Sequence, residues 1–194
     1  MKRILIASLL ALVLAAVSPA TASAASTLTG ENLSGASSSG NSLDCPNPTY
    51  SVTGTATVPY PGTFTETGTW DVDTLDFSAT FTITSGTTTI TGSKAGNVSP
   101  GTLSCGPLLL GNANVTGVPY TATIRTPNGN FHDEGTSTVV VEIIGSAATL
   151  TESFTSSLTA PTSKDQCKNN GWKGFPQFKN QGQCVSFVER QGRT

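Results

Sequence analysis

The chain has 194 residues, four cysteines and a formal net charge of −2, a size that suits one compact domain with a small appendage. The charge is unevenly divided, because residues 25–158 carry two basic and ten acidic side chains, whereas residues 159–194 carry six basic and two acidic ones. The acidic body argues against nucleic acid as the main partner. Opposite charges on the two parts favour different ligands for each.

Residues 1–24 are predicted to be a secretion signal. Lys2 and Arg3 precede an uncharged apolar run over residues 4–17, and residues 22–24, Ala-Ser-Ala, have the small-x-small form of a cleavage site. The apolar run is short for a membrane span. We therefore expect a secreted, extracellular protein that has no membrane association after cleavage.

An even number of cysteines in an exported protein predicts disulfides. Three pairings are possible, and the short separation of Cys167 and Cys184 favours Cys167–Cys184 together with Cys45–Cys105. A zinc site is disfavoured, because the chain has no Cys-x-x-Cys pair and its single histidine, His132, is far from both segments. We expect no metal and no cofactor.

Composition divides the exported chain into three parts. Residues 25–48 are rich in serine, glycine and asparagine, and they are predicted to be a flexible lead-in tied down at Cys45. Residues 49–158 are predicted to be a β-domain. Residues 159–194 are predicted to be a basic tail closed by a disulfide. So small a segment needs such a cross-link to be stable.

The β-domain shows regular alternation of apolar residues and threonine. Leu75, Phe77 and Phe81 share one phase while Thr80 and Thr82 share the other, which gives a strand one apolar face. Turn signals separate about eight such segments, at 50–58, 63–70, 75–84, 87–93, 103–110, 112–126, 131–144 and 147–155, with a kink at 117–119 and a hairpin turn at 127–130. The pattern predicts an all-β fold, an antiparallel up-and-down barrel, with a sandwich as the second choice.

The tail is predicted to be partly helical, over residues 163–170 with Thr162 as a possible cap and over residues 183–190. Its sequence, PTSKDQCKNNGWKGFPQFKNQGQCVSFVERQGR, has a cysteine–aromatic pattern that includes Cys167, Trp172, Phe175 and Cys184. This pattern resembles a short ending of uncharacterised exported proteins of Gram-positive-type bacteria, and it covers about a sixth of the chain. The resemblance implies export and a modular ending, but no particular activity.

Two glutamates are weak catalytic candidates. Glu66 shares the phase of Phe64 and Trp70, and Glu152 shares the phase of Phe154, so both point inward if these phases face the interior. Paired carboxylates perform acid–base chemistry on sugars. We favour instead a position at a strand end, at a bulge or facing solvent, because a lone buried carboxylate is costly and no inward base is evident.

Other catalytic patterns are weaker still. In His132-Asp133-Glu134, neighbouring side chains on a strand face opposite sides, so the three cannot converge, and a solvated strand start is the better interpretation. The chain has no Gly-x-Ser-x-Gly elbow and no phosphate-cradling glycine motif. An ordinary hydrolase triad is therefore not expected.

A barrel of this size either fills with side chains or holds one small ligand. Filling is the default for a protein interior. The aromatic residues predicted to point inward, which could fill the interior or line a cavity, are Phe64, Trp70, Phe77, Phe81, Tyr120, Phe131 and Phe154.

The tail interleaves Trp172, Phe175 and Phe178 with Lys173 and Lys179, a combination that could stack on sugars and attract an anionic wall polymer. The alternative is that these aromatics form the small core of the tail itself. The sequence therefore predicts a secreted, non-catalytic β-barrel whose tail is an interaction module, with the cell envelope or another extracellular polymer as its candidate partner. A small-ligand carrier is the alternative, and a glutamate-dependent enzyme is a third hypothesis.

Overall fold

A computed structural model describes residues 27–37, 47–97, 110–127 and 129–191. The described residues form eight strands, two α-helices and one 3-10 helix. The strands are β1 (Asn32–Ser37), β2 (Thr49–Ala56), β3 (Gly62–Trp70), β4 (Asp76–Ser85), β5 (Thr88–Asn97), β6 (Leu110–Thr126), β7 (Gly129–Ile144) and β8 (Ala147–Ser156). The helices are α1 (Lys164–Cys167), the 3-10 helix (Gly171–Gly174) and α2 (Gln181–Gln191).

Each strand pairs antiparallel with the next along the chain, and β8 pairs with β1, so the sheet closes into a barrel. The predicted antiparallel up-and-down barrel is confirmed. Closure removes both edges of the sheet, so all eight strands find hydrogen-bonding partners on both sides. The predicted kink is a register shift between Val115 and Val118 beside Gly117, whose φ is +74°.

The predicted flexible lead-in is wrong for residues 27–37. Residues 32–37 form β1, the strand that closes the barrel, and Leu28 and Leu33 are buried. Hydrophobic alternation is weak here because the inward position after Leu33 is Gly35, where a Cβ would lie 2.9 Å from the Phe64 ring. Residues 1–24, the pair Cys45–Cys105 and residues 103–109 lie outside the described residues.

Side chains fill the described interior. All seven aromatic residues predicted to point inward are buried. The Phe154 ring centroid lies 5.2 Å from that of Phe81 and 5.1 Å from that of Tyr120, while Trp70 and Phe77 meet edge to face at 5.6 Å. Such aromatic pairs add to the stability gained from burial.

Inward glycines make room for these rings. Gly68 faces Tyr50, whose ring would lie 2.5 Å from a Cβ at that position, and Gly92 lies opposite Phe81 in the β4–β5 register. A Cβ on Gly92 would overlap the Phe81 ring. Small and large residues are thus matched across neighbouring strands, which packs the interior densely.

We expect Gly92→Ala to lower the free energy of unfolding by about 1–3 kcal/mol, because overpacking forces the Phe81 ring out of its place. Urea unfolding measures this change. Gly174→Ala is the matched control, since nothing lies within 4 Å of its added Cβ, and it should change stability by less than about 0.5 kcal/mol. Equal stability of the two variants would contradict the tight packing described here.

The tail begins after β8 and carries the predicted disulfide, Cys167–Cys184, with an S–S distance of 2.01 Å. Both predicted helical segments form, although α1 is shorter than expected and its N-cap is Ser163 rather than Thr162. No helix in the described part of the chain is both long enough and apolar enough to cross a membrane.

Candidate functional site

The barrel interior holds a charged cluster made by Lys94 of β5, Glu66 of β3 and Glu152 of β8. Lys94 Nζ donates to Glu66 Oε2 at 2.8 Å and to Glu152 Oε2 at 2.5 Å. The side chains of all three residues have no exposed surface. We call this the interior ion cluster.

Aromatic groups complete the surroundings of the interior ion cluster. Tyr50 donates its hydroxyl to Glu66 Oε1 at 2.6 Å. The ammonium of Lys94 lies 5.8 Å from the ring centroid of Phe81 and 6.0 Å from that of Phe154, within cation–π range. Glu152 Oε1 has no hydrogen-bond partner among the described residues.

The cluster contains two acidic groups and one basic group, so full ionisation would leave one uncompensated negative charge away from water. Burial raises the pKa of Glu152 to about 8, although the Lys94 ammonium lowers it, and the charge of Glu66 adds to the rise. Burial also raises the pKa of the Tyr50 hydroxyl, and the neighbouring Glu66 charge reinforces this. At neutral pH Glu152 is therefore largely protonated, beside the salt bridge that Lys94 Nζ makes with Glu66 Oε2 at 2.8 Å.

Both glutamates face the interior, which is the orientation that the strand phases indicated. The favoured interpretation, a position at a strand end, at a bulge or facing solvent, is wrong for both residues, because each is buried within a strand of regular register. Lys94 is the inward base that accompanies them. The predicted strand at 87–93 ends one residue before Lys94, whereas β5 extends to Asn97, so the sequence does not predict this inward base. Two features of the sequence could have indicated it. Lys94 lies on the same strand face as Ile90, and it is one of only two basic residues between residues 25 and 158.

The geometry of the interior ion cluster suits a structural role better than catalysis. A substrate would have to reach carboxyl groups that have no exposed surface and that aromatic rings surround. The same rings occupy the interior space that a carried small molecule would need. Neither the enzyme hypothesis nor the carrier hypothesis gains support from the described interior.

Stability should therefore fall as the pH rises through the interval between 4.5 and about 8. The folded protein keeps the Glu152 proton over this range, whereas an unfolded glutamate with the ordinary pKa of 4.5 has lost it. The contribution of this proton to the free energy of unfolding is complete below pH 4.5 and is lost as the pH rises past about 8. At about 1.4 kcal/mol for each pKa unit, it amounts to a few kcal/mol. Urea unfolding across this pH interval measures it.

The variant Glu152→Gln carries a neutral side chain of the same shape, so its stability should decline much less over the same interval. Glu142→Gln is the matched control, because this exposed glutamate lies on the outside of β7, and its profile should follow that of the parent. A parent-like pH profile for Glu152→Gln would show that Glu152 does not hold the proton.

The residues His132, Asp133 and Glu134 do not converge, as predicted. His132 Nε2 lies 3.1 Å from Glu134 Oε2 on the outer face, where both side chains are nearly half exposed. Asp133 is buried and accepts hydrogen bonds from the Leu28 amide at 2.8 Å, from Tyr120 at 2.9 Å and from Ser156. Asp133 thus anchors the N-terminal segment to the barrel, a role that sequence reasoning missed.

Glu31 anchors the same segment on its other side. Its carboxylate accepts hydrogen bonds from the backbone amides of Thr57 at 2.6 Å and Tyr60 at 2.8 Å. Burial raises the pKa of Glu31, although these hydrogen bonds oppose the rise. Among the described residues, no three acidic, histidine or cysteine side chains are placed to hold a metal ion.

The candidate binding residues of the tail divide into an inner and an outer group. Phe178 is buried, with its ring centroid 6.2 Å from that of Phe131 in the barrel and 5.2 Å from that of Phe187. Trp172 and Phe175 are partly buried, and Lys173 and Lys179 are exposed. Phe178 therefore belongs to a core, as one prediction has it, while Lys173 and Lys179 lie on the surface, as the other has it.

Comparison of the chain with protein-family models, with curated proteins and with solved structures finds no match. The resemblance of the tail to endings of exported bacterial proteins stays a prediction.

Proposed function

We propose that this is a secreted, non-catalytic β-barrel protein whose tail binds an anionic polymer of the cell envelope. One observation carries the proposal, namely that the disulfide-clipped segment leaves Lys173 and Lys179 exposed and Trp172 and Phe175 partly exposed. We call these four residues the aromatic–lysine patch. The buried ring of Phe178, which contacts Phe131, joins this segment to the barrel.

The lysines of the tail are not equivalent. Lys164 Nζ lies 2.8 Å from Glu189 Oε1, and Lys168 Nζ lies 2.8 Å from Asp165 Oδ1, so both are paired within the tail. Lys173 and Lys179 have no acidic partner among the described residues, and both side chains are exposed. These two charges are therefore available to an external anion.

The aromatic rings add a second kind of contact. Lys173 Nζ lies 5.9 Å from the ring centroid of Trp172, a cation–π arrangement that places the ammonium beside an apolar surface. Trp172 and Phe175 remain partly exposed. A polymer with repeating sugar or glycerol units and acidic groups would use both the rings and the charges.

Charge distribution and export support the same proposal. Residues 25–158 carry an excess of acidic groups, which repels an anionic polymer from the barrel and favours contact at the basic tail. The predicted signal at residues 1–24 and the disulfide Cys167–Cys184 agree with a protein that works outside the cytoplasm.

The test is binding of the full exported chain to a purified poly(glycerol phosphate) wall polymer, measured by titration at several salt concentrations. Lys173→Gln/Lys179→Gln should weaken binding about tenfold or more, because each lysine near an anionic surface contributes about 1 kcal/mol. Binding by the parent should fall as salt rises.

Lys164→Gln/Lys168→Gln is the matched control, since it removes the same total charge from lysines that already have partners. It should weaken binding less than about threefold. Equal losses of affinity in the two double variants would show that binding depends only on net charge and not on the aromatic–lysine patch. Failure of the parent to bind the polymer would end the proposal itself.

A further inference from the structure

The outer wall of the barrel carries a groove that the tail does not form. One part has a volume of about 690 Å³ and lies across β2, β3, β4, β5 and β6. A second part of about 430 Å³ continues across β6, β7 and β8. Pro119, Tyr120 and Thr121 line both parts, so the two are continuous.

Strand register explains the shape of the groove. Tyr50, Gly68, Ala79, Lys94 and Tyr120 are paired in succession from β2 to β6 and point into the barrel, so only their backbone forms the floor. The residues on either side of this row point outward and form two walls. One wall contains Thr67, Thr80, Ser93 and Thr121, and the other contains Thr69, Ser78, Ala95 and Pro119.

The walls carry hydroxyl pairs at their centre. The hydroxyl oxygens of Thr67 and Thr80 are 3.1 Å apart on one wall, and those of Thr69 and Ser78 are 3.0 Å apart on the other. In each pair one hydroxyl donates to its neighbour, which leaves one O–H group and several lone pairs for a ligand. Because both pairs join β3 to β4, they face each other across the groove.

The chemistry of the lining selects the ligand. From β2 to β6 no exposed side chain of the groove is charged, since the ammonium of Lys94 lies inside the barrel. In the part from β6 to β8 the lining includes Glu134, whose carboxylate lies 3.1 Å from His132 Nε2. The lining presents hydroxyl groups and threonine methyl groups. It exposes no aromatic ring of the kind that anchors a protein partner, so a protein ligand is less favoured. Such a surface suits a neutral ligand that presents both hydroxyl groups and C–H groups.

We propose that this groove binds a chain of an uncharged polysaccharide. Neighbouring strands are about 4.8 Å apart, so the path over the curved outer surface from β2 to β6 is about 19 Å long. A groove of this length accepts several sugar units in a row. This site is separate from the aromatic–lysine patch and takes a different class of polymer.

The test is affinity electrophoresis of the full exported chain through gels that contain hydroxyethylcellulose, dextran or mannan. At least one of these neutral polysaccharides should retard the parent. Thr67→Val/Thr80→Val removes one hydroxyl pair while keeping side-chain shape and β-branching, and the loss of its hydrogen bonds should weaken binding about tenfold. Retardation by none of the three polysaccharides would overturn the proposal.

Thr65→Val/Thr82→Val is the matched control, because these threonines are paired on the same two strands but lie outside the groove. It should bind as the parent does, and an equal loss in the control would overturn the assignment to the groove. Lys173→Gln/Lys179→Gln should keep polysaccharide binding, while Thr67→Val/Thr80→Val should keep binding to poly(glycerol phosphate). These two results distinguish failure of this site from failure of the tail proposal.

Discussion

The ion pair between Lys94 and Glu66, with Glu152 beside it, is the constraint on which this barrel depends. The outer faces of β2 to β5 and of β8 consist largely of serine and threonine, so they discriminate poorly between alternative strand registers. A one-residue slip of β3, β5 or β8 would move one member of the cluster to the outside and leave the others unpaired in an apolar interior, at a cost of several kcal/mol. The buried charges therefore select one register, as the inward glycines do by admitting rings only at fixed places.

The alternation of apolar residues and threonine was sufficient to predict the barrel, because one buried face gives each strand a period of two. It failed at β1, where Leu33 is followed inward by a glycine whose space a ring from β3 occupies. Lys94 could not be predicted for a related reason. A lysine near the end of a strand is expected to be exposed in a loop unless the acidic residue that pairs with it inside the barrel is known. Such pairings depend on strands that are far apart in sequence, and no local pattern contains them.

The tail shows the opposite balance between sequence and structure. Its disulfide and both helical segments followed from spacing and composition, because the interactions that form them are local. The division of its aromatics could not be predicted, since Phe178 is distinguished from Trp172 and Phe175 by a contact with Phe131 of the barrel. With the described interior packed by rings, both proposed binding surfaces lie on the outside of the molecule, and they differ in charge.

Closure of the barrel has a consequence for the order of folding. The first strand completes the sheet with the last, and the hydrogen bond from the Ser156 amide to the Thr29 hydroxyl joins residues 127 positions apart. During synthesis β1 therefore emerges first but stays without its second neighbour until the whole barrel sequence is available. Contacts of this range slow folding, and the exposed strands β1 and β7 are then the chain's most vulnerable sites for pairing with another molecule. β1 is short, contains a glycine and buries a single leucine. These features make it less prone to pair with another molecule before the barrel closes.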